Sequence, residues 1–166
     1  MKKIAIAAIL SAFVAAPAIA ADVYLGVNAG QNAIDVSTVK SSTAFGVLGG
    51  YTFNENIAAE VAYTDLGSAE RTFSPNKLTG NVMSIAAVGS LPLNKDFSLF
   101  AKLGYAQSKI DVPGISETKS DLTYGIGAQY NASKTVGIRL GYDSFKVGTT
   151  NTKDSALITI GAVFKL

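Results

Sequence analysis

The chain has 166 residues, of which 48% are hydrophobic and 16% charged, with 14 basic and 12 acidic side chains and neither cysteine nor histidine. The missing cysteines exclude disulfides and thiolate metal sites, and the near balance of charges gives no sign of a nucleic-acid partner. The length fits a single domain, and no cofactor is predicted.

The first twenty residues have the pattern of a cleavable secretory signal peptide. Lys2 and Lys3 form a basic start, residues 4–14 are almost entirely apolar, and Ala18-Ile19-Ala20 is a small-x-small cleavage site. The apolar run is shorter than a retained membrane anchor needs, so we expect cleavage after Ala20. Cleavage removes both lysines and leaves 12 basic side chains against 12 acidic ones.

Eight strands are predicted in the rest of the chain, because apolar side chains recur at every second position in eight separate segments. No run of about 18 apolar residues follows residue 20, so no membrane-spanning helix is expected. The predicted division is therefore a signal peptide over residues 1–20 and one all-β domain over residues 21–166. The predicted strands are 22–30, 43–53, 56–64, 81–91, 96–108, 121–130, 135–145 and 156–166.

The connections between these strands alternate in length. Three are short and rich in turn-forming residues, at 54–55, 92–95 and 131–134. Four are longer and polar, at 31–42, 65–80, 109–120 and 146–153. Short turns at one end and long loops at the other are typical of an outer-membrane barrel, whose short turns are periplasmic. We therefore predict an eight-stranded antiparallel up-and-down transmembrane β-barrel.

The two faces of the predicted strands favour a membrane barrel over a soluble one. The face opposite the apolar one is dominated by Gly, Ser, Thr and Ala, which suits the crowded interior of a narrow barrel better than a water-exposed surface. Aromatic side chains lie near both ends of the apolar faces, as expected of the girdles at the two membrane interfaces. The predicted girdle residues are Tyr51, Phe53, Tyr63, Phe97, Tyr105, Tyr124, Tyr130, Tyr142 and Phe164.

The few charged residues inside the strands share the small-residue face. Glu60, Lys102, Gln129, Arg139 and Asp143 are predicted to form a polar network in the barrel interior, because Lys or Arg facing mid-membrane lipid costs about 2–4 kcal/mol. A structural network that neutralises itself is favoured, and a gate or ion path is the alternative. On the first interpretation, Arg139→Ala destabilises the protein more than Arg71→Ala does, since Arg71 is predicted to lie in a solvated loop.

Taken together, these segments resemble the OmpA-like (OmpA/OmpX-type) family of small eight-stranded outer-membrane barrels over residues 21–166. The resemblance implies a Gram-negative outer-membrane location, a comparable interior charge network and insertion by the barrel-assembly machinery. Family members usually end in Phe, whereas this chain ends in Leu166 after Phe164. Larger relatives carry a peptidoglycan-binding domain after the barrel. This chain stops at Leu166, so no wall-anchoring role is expected here. The matching segments are VYLG at 23–26, FGVLGGY at 45–51, EVAYTDLG at 60–67, LGY at 103–105 and YGIGAQY at 124–130.

Three functions are compatible with this pattern. The favoured one is a non-enzymatic barrel with a structural, envelope-integrity or adhesin-like surface-binding role, whose partners are outer-membrane lipid, the assembly machinery and a surface ligand of the loops. Catalysis is not expected, because lipid-remodelling enzymes of this architecture need a serine activated by histidine. The alternatives are a narrow porin-like channel for ions or small solutes and a soluble lipocalin-like carrier. A monomer is expected.

Overall fold

The computed structural model of the chain describes residues 23–34, 42–71, 74–112, 115–147 and 153–166. None of the described segments forms a helix that is long and apolar enough to cross a membrane. The predicted signal peptide lies outside the described residues, so the division at residue 20 stays a prediction. The strands are β1 Val23–Ile34, β2 Ser42–Asn54, β3 Ile57–Arg71, β4 Ser74–Pro92, β5 Phe97–Val112, β6 Ile115–Asn131, β7 Val136–Val147 and β8 Lys153–Lys165.

The eight strands form one closed antiparallel barrel in which each strand pairs with its sequence neighbours. Closure occurs between β1 and β8, where Leu25 pairs with Phe164 and Ala29 pairs with Ile160. Because every strand in the barrel wall has two partners, the wall leaves no backbone donors or acceptors facing hydrocarbon. The predicted fold class is confirmed.

Three short connections, which define the turn end of the barrel, share one stabilising device. Asn54 Oδ1 accepts hydrogen bonds from the backbone N–H groups of Asn56 and Ile57, both at 2.9 Å. Asn94 Oδ1 and Ser133 Oγ each accept two equivalent bonds in the other two turns. Short polar side chains of this kind stabilise tight turns by replacing a backbone acceptor.

At the opposite end, the loop end, the strands are longer than predicted. The predicted loops 31–42, 65–80, 109–120 and 146–153 are wrong in extent, because β3 continues to Arg71 and β4 begins at Ser74, while β5 and β6 approach each other to Val112 and Ile115. On β5 the outward apolar series ends at Tyr105, and the later apolar residues Ile110 and Val112 fall on the opposite strand parity. Pairing beyond Tyr105 is therefore not marked by the outward apolar series that identifies the rest of the strand.

A bulge marks the point where β3 leaves the regular register. The pairing with β4 shifts between Asp65 and Ser68, and Gly67 has a φ of 72°. Asp65 Oδ1 accepts the Gly67 backbone N–H at 2.9 Å. Glycine adopts this left-handed conformation without the steric cost that a side chain brings.

The apolar faces of the strands point outward, away from the barrel axis. Leu103, Ile126 and Ile160 are 58%, 63% and 59% exposed. Lys102 and Arg139, one residue from an outward position on their strands, are shielded inside the barrel with side-chain exposures of 17% and 12%. An apolar outside and a partly charged inside are the reverse of a soluble barrel and fit a barrel surrounded by hydrocarbon.

Candidate functional site

The barrel interior brings together the polar side chains that the sequence places on the small-residue face. Glu60 lies on β3, Lys102 on β5, Gln129 on β6, and Arg139 and Asp143 on β7. Successive side chains of a strand point to opposite faces. Because the apolar neighbours of these five residues point outward, the five side chains point inward. They meet across the lumen because a narrow barrel places its inward side chains within contact distance of one another.

The centre of the network is the ion pair between Arg139 Nη1 and Glu60 Oε2. Glu60 is 3% exposed, and its Oε2 also accepts a hydrogen bond from the Tyr24 hydroxyl at 2.9 Å. Arg139 Nε and Nη2 donate to Gln129 Oε1 at 3.2 and 3.1 Å, and Gln129 Nε2 donates to Asn131 Oδ1 at 2.8 Å. A planar guanidinium that donates to several acceptors at once is held in one orientation.

A second ion pair lies beside this cluster. Lys102 Nζ is 2.7 Å from Asp143 Oδ1, with side-chain exposures of 17% and 21%. The Lys102 ammonium also interacts electrostatically with Glu60. The five predicted residues therefore divide into two groups, a buried cluster around Arg139 and a more exposed Lys102–Asp143 pair.

Two aromatic rings complete the cluster around Arg139. Its guanidinium carbon lies 4.7 Å from the centre of the Phe100 ring and 5.6 Å from that of Tyr24, distances at which cation–π attraction acts. Lys102 Nζ lies 5.8 Å from the Phe100 ring. A side chain at Gly50 or Gly127 would collide with these rings, so both glycines make room for them.

Sequence reasoning missed Tyr24, Phe100 and Asn131 as members of the cluster. Tyr24 and Phe100 stand at inward positions of β1 and β5, where the alternation assigns them to the lumen. The sequence pattern does not single them out, because it predicts large apolar side chains only on the lipid face. The sequence signal for Tyr24 and Phe100 is an aromatic residue on the strand face opposite to the apolar one.

The lumen also contains two apolar layers that the prediction of a small-residue interior did not include. The first lies at the level of the Arg139 cluster, towards the turn end, and the second lies nearer the loop end. Burial of these side chains fills the lumen above and around the ionic groups. The first layer comprises Tyr24, Leu48, Ala58, Val88, Phe100 and Val163. The second comprises Ala44, Leu66, Val82, Ala106, Phe145 and Leu157.

The nine predicted girdle residues lie on the outward face. Seven are exposed, and Tyr51 and Tyr63 are half-buried. Near the turn end the rings contact each other, with centroids 4.9 Å apart for Phe97 and Tyr130 and 5.2 Å apart for Tyr51 and Phe53. The exposed seven are Phe53, Phe97, Tyr105, Tyr124, Tyr130, Tyr142 and Phe164.

No metal-binding cluster of three or more His, Cys, Asp or Glu side chains occurs within the described parts of the chain. The five predicted polar side chains of the lumen are instead held by ion pairs and hydrogen bonds. Their arrangement holds opposite charges in fixed positions in the lumen.

This architecture is similar to that of known outer-membrane proteins. The family model of the outer membrane protein β-barrel domain matches residues 4–165. Neisserial surface protein A is similar with a TM-score of 0.60 and 17% identity, over 87% of this chain and 97% of that one. The attachment invasion locus protein Ail of Yersinia pestis, solved with the heparin analogue sucrose octasulfate, has a TM-score of 0.58 and 21% identity, over 86% and 95%. OprG of Pseudomonas aeruginosa has a TM-score of 0.56 and 13% identity, over 88% and 97%.

No curated protein matches the chain. The solved structures share its fold, and the family match extends over nearly its full length. The chain belongs to the outer membrane protein β-barrel family, and its location is the outer membrane of a Gram-negative bacterium.

Proposed function

We propose that this protein is a non-catalytic, non-conducting surface protein whose barrel anchors two outer hairpins that bind a partner outside the cell. The observation that carries the proposal is that side chains occupy the lumen inward of the turn end. The Arg139–Glu60 cluster and the first apolar layer occupy it towards the turn end, and the second apolar layer occupies it nearer the loop end. Open aqueous pores belong to barrels of about 16 strands, whereas side chains fill the interior of an eight-stranded one.

The outer hairpins supply the surface for binding. On β5, Val112 lies seven residues beyond the girdle residue Tyr105, which at about 3.3 Å per residue is about 23 Å along the strand. The β3–β4 hairpin extends comparably, to Arg71 and Ser74. Segments that project this far are accessible to macromolecules at the cell surface.

The charges of the β5–β6 hairpin argue against a polyanionic partner. The β5–β6 hairpin carries Lys109, Asp111, Glu117 and Lys119, which cancel. A surface that captures a sulfated polysaccharide needs a cluster of basic residues. The sulfated ligand seen with Ail is therefore not part of the proposal for this chain.

The sequence supports a role without catalysis, because the chain has no histidine or cysteine. A serine or threonine hydroxyl is a weak nucleophile unless an adjacent base activates it. Insertion by the barrel-assembly machinery and a monomeric state in the membrane are part of the same proposal.

Conductance separates the proposed function from a narrow channel. Purified protein in a planar lipid bilayer is expected to add no steady conductance. A steady current that changes when Lys102 or Arg139 is replaced would instead support the channel.

Binding is tested with hairpins shortened in register. Ala69 pairs with Leu78, and Ile110 pairs with Glu117, so replacing residues 70–77 or 111–116 by an Asn-Gly turn keeps the remaining pairs aligned. We expect the shortened barrels to fold and cell binding to fall. A variant with residues 70–77 scrambled at constant length is the control for sequence-specific contact. Unchanged cell binding and serum survival in both shortened variants would reject the surface-binding role.

A further inference from the structure

We propose that the turn end of the lumen is a periplasm-facing binding site for a small organic carboxylate with an apolar body. A cavity of about 490 Å³, here called the vestibule, opens between the short turns and ends at Arg139. This volume lies within the range of about 300–1,000 Å³ found for small-ligand sites. Neither the family fold nor the surface-binding role requires a cavity at this end.

The inner wall of the vestibule is rigid and amphipathic. Tyr24, Phe100 and Val163 supply apolar surface, and Arg139 and Gln129 supply polar groups. The guanidinium is fixed by its bonds to Glu60 and Gln129. Arg139 and Gln129 are therefore already held in position, so binding of a ligand requires no ordering of these two side chains.

The polar lining favours an anion. Glu60 balances Arg139, and among the described residues that line the vestibule Glu55 is the one other carboxylate, beside the exposed rim lysines Lys95 and Lys165. No ion-pair partner of either lysine occurs among the described residues.

The Asn131 side chain adds a donor to this excess of positive charge. Its Oδ1 accepts the Gln129 bond, which leaves the Nδ2 hydrogens for a ligand. Carboxylate oxygens accept from ammonium and amide donors alike, and an apolar body of amino-acid size contacts the Phe100 and Val163 wall.

The binding test uses the refolded protein in phosphatidylcholine nanodiscs with N-acetyl-leucine as the probe. We expect saturable NMR shifts of the Ser98 and Asn131 amides, both of which lie at the vestibule. The neutral N-acetyl-leucine amide is expected to bind about fivefold more weakly, because it lacks the charge that the lysines attract. Equal binding of the amide, or equal saturable shifts with inorganic phosphate, would overturn the proposal.

Variants of the rim lysines locate the site. Lys165→Gln and Lys95→Gln are each expected to weaken N-acetyl-leucine binding about threefold to fivefold. Lys134→Gln is the matched control, since Lys134 is an exposed lysine of a neighbouring turn that does not line the vestibule. Heat-dependent gel mobility verifies that each variant is folded. Equal weakening by Lys134→Gln would show general charge attraction and reject the site.

Discussion

At the scale of single residues, the defining feature is an ion pair held almost completely out of water. The side chains of Arg139 and Glu60 are 12% and 4% exposed. Removing one partner of such a pair leaves the other charge buried and uncompensated, which costs more than the pair contributes. Tyr24 and Gln129 bond to the same two groups, so the cost falls on a connected network.

Arg139→Ala is therefore expected to lower the free energy of unfolding by about 3 kcal/mol, because it strands the Glu60 carboxylate in the lumen. Arg71→Ala is the natural control, since Arg71 is the other arginine of the chain and lies at the end of β3 in the outer hairpin. A change below about 0.5 kcal/mol is expected there. Urea unfolding from lipid vesicles measures both, and equal losses would contradict the assigned role of Arg139.

The two ion pairs are expected to differ in strength. A double-mutant cycle on Glu60 and Arg139 should give a coupling of about 2–3 kcal/mol, within the range seen for residues of one network. The cycle on Lys102 and Asp143 should give about 1 kcal/mol or less, because that pair is more exposed. A larger coupling for Lys102 and Asp143 would show that the Arg139 cluster is not the centre of the network.

At the scale of strands, the alternation of apolar side chains determined most of what could be predicted. It separated Leu103 from Lys102 and Leu140 from Arg139, because adjacent residues of a strand face hydrocarbon and lumen in turn. It failed at the loop end, where β5 continues to Val112 although its outward apolar series ends at Tyr105. Pairing there depends on backbone hydrogen bonds, which any sequence without proline can make.

The interior of the site was only partly predictable for a related reason. Charge and an inward-facing position in the strand alternation together identified Glu60 and Arg139. Tyr24 and Phe100 also stand at inward-facing strand positions but carry no charge. Their role depends on space left by glycines of neighbouring strands. Such complementarity between strands is set by the register, which the sequence of one strand does not contain.

Strand orientation also predicts depth-dependent costs on the outer face. Leu103→Lys places an ammonium between the two girdles and is expected to destabilise the barrel by about 2–4 kcal/mol. Leu122→Lys is the matched control, because Leu122 is also outward but lies two residues beyond Tyr124 towards the loop end. We expect about 0–1 kcal/mol there. Equal costs in vesicle refolding would mean that Leu103 does not lie at greater depth.

At the scale of the whole molecule, one closed sheet separates the surrounding hydrocarbon from the side chains of the lumen. Its closure between β1 and β8 removes free edges from the hydrocarbon region. Ionic and apolar side chains occupy the lumen in layers inward of the vestibule, and the outer hairpins project beyond the membrane. The membrane-facing wall, the lumen side chains and the outer hairpins are therefore different parts of the same eight strands.

The central statement, that lipid surrounds the outward side chains and not the inward ones, can be tested on one strand. The chain has no tryptophan, so a single introduced one is a clean fluorescence reporter. In bilayers with brominated acyl chains, strong quenching is expected for Leu103→Trp, at an outward position of β5. Little quenching is expected for Phe100→Trp, three residues away and 5% exposed in the lumen. Equal quenching at both positions, or stronger quenching at position 100, would contradict a barrel that meets hydrocarbon with its apolar face.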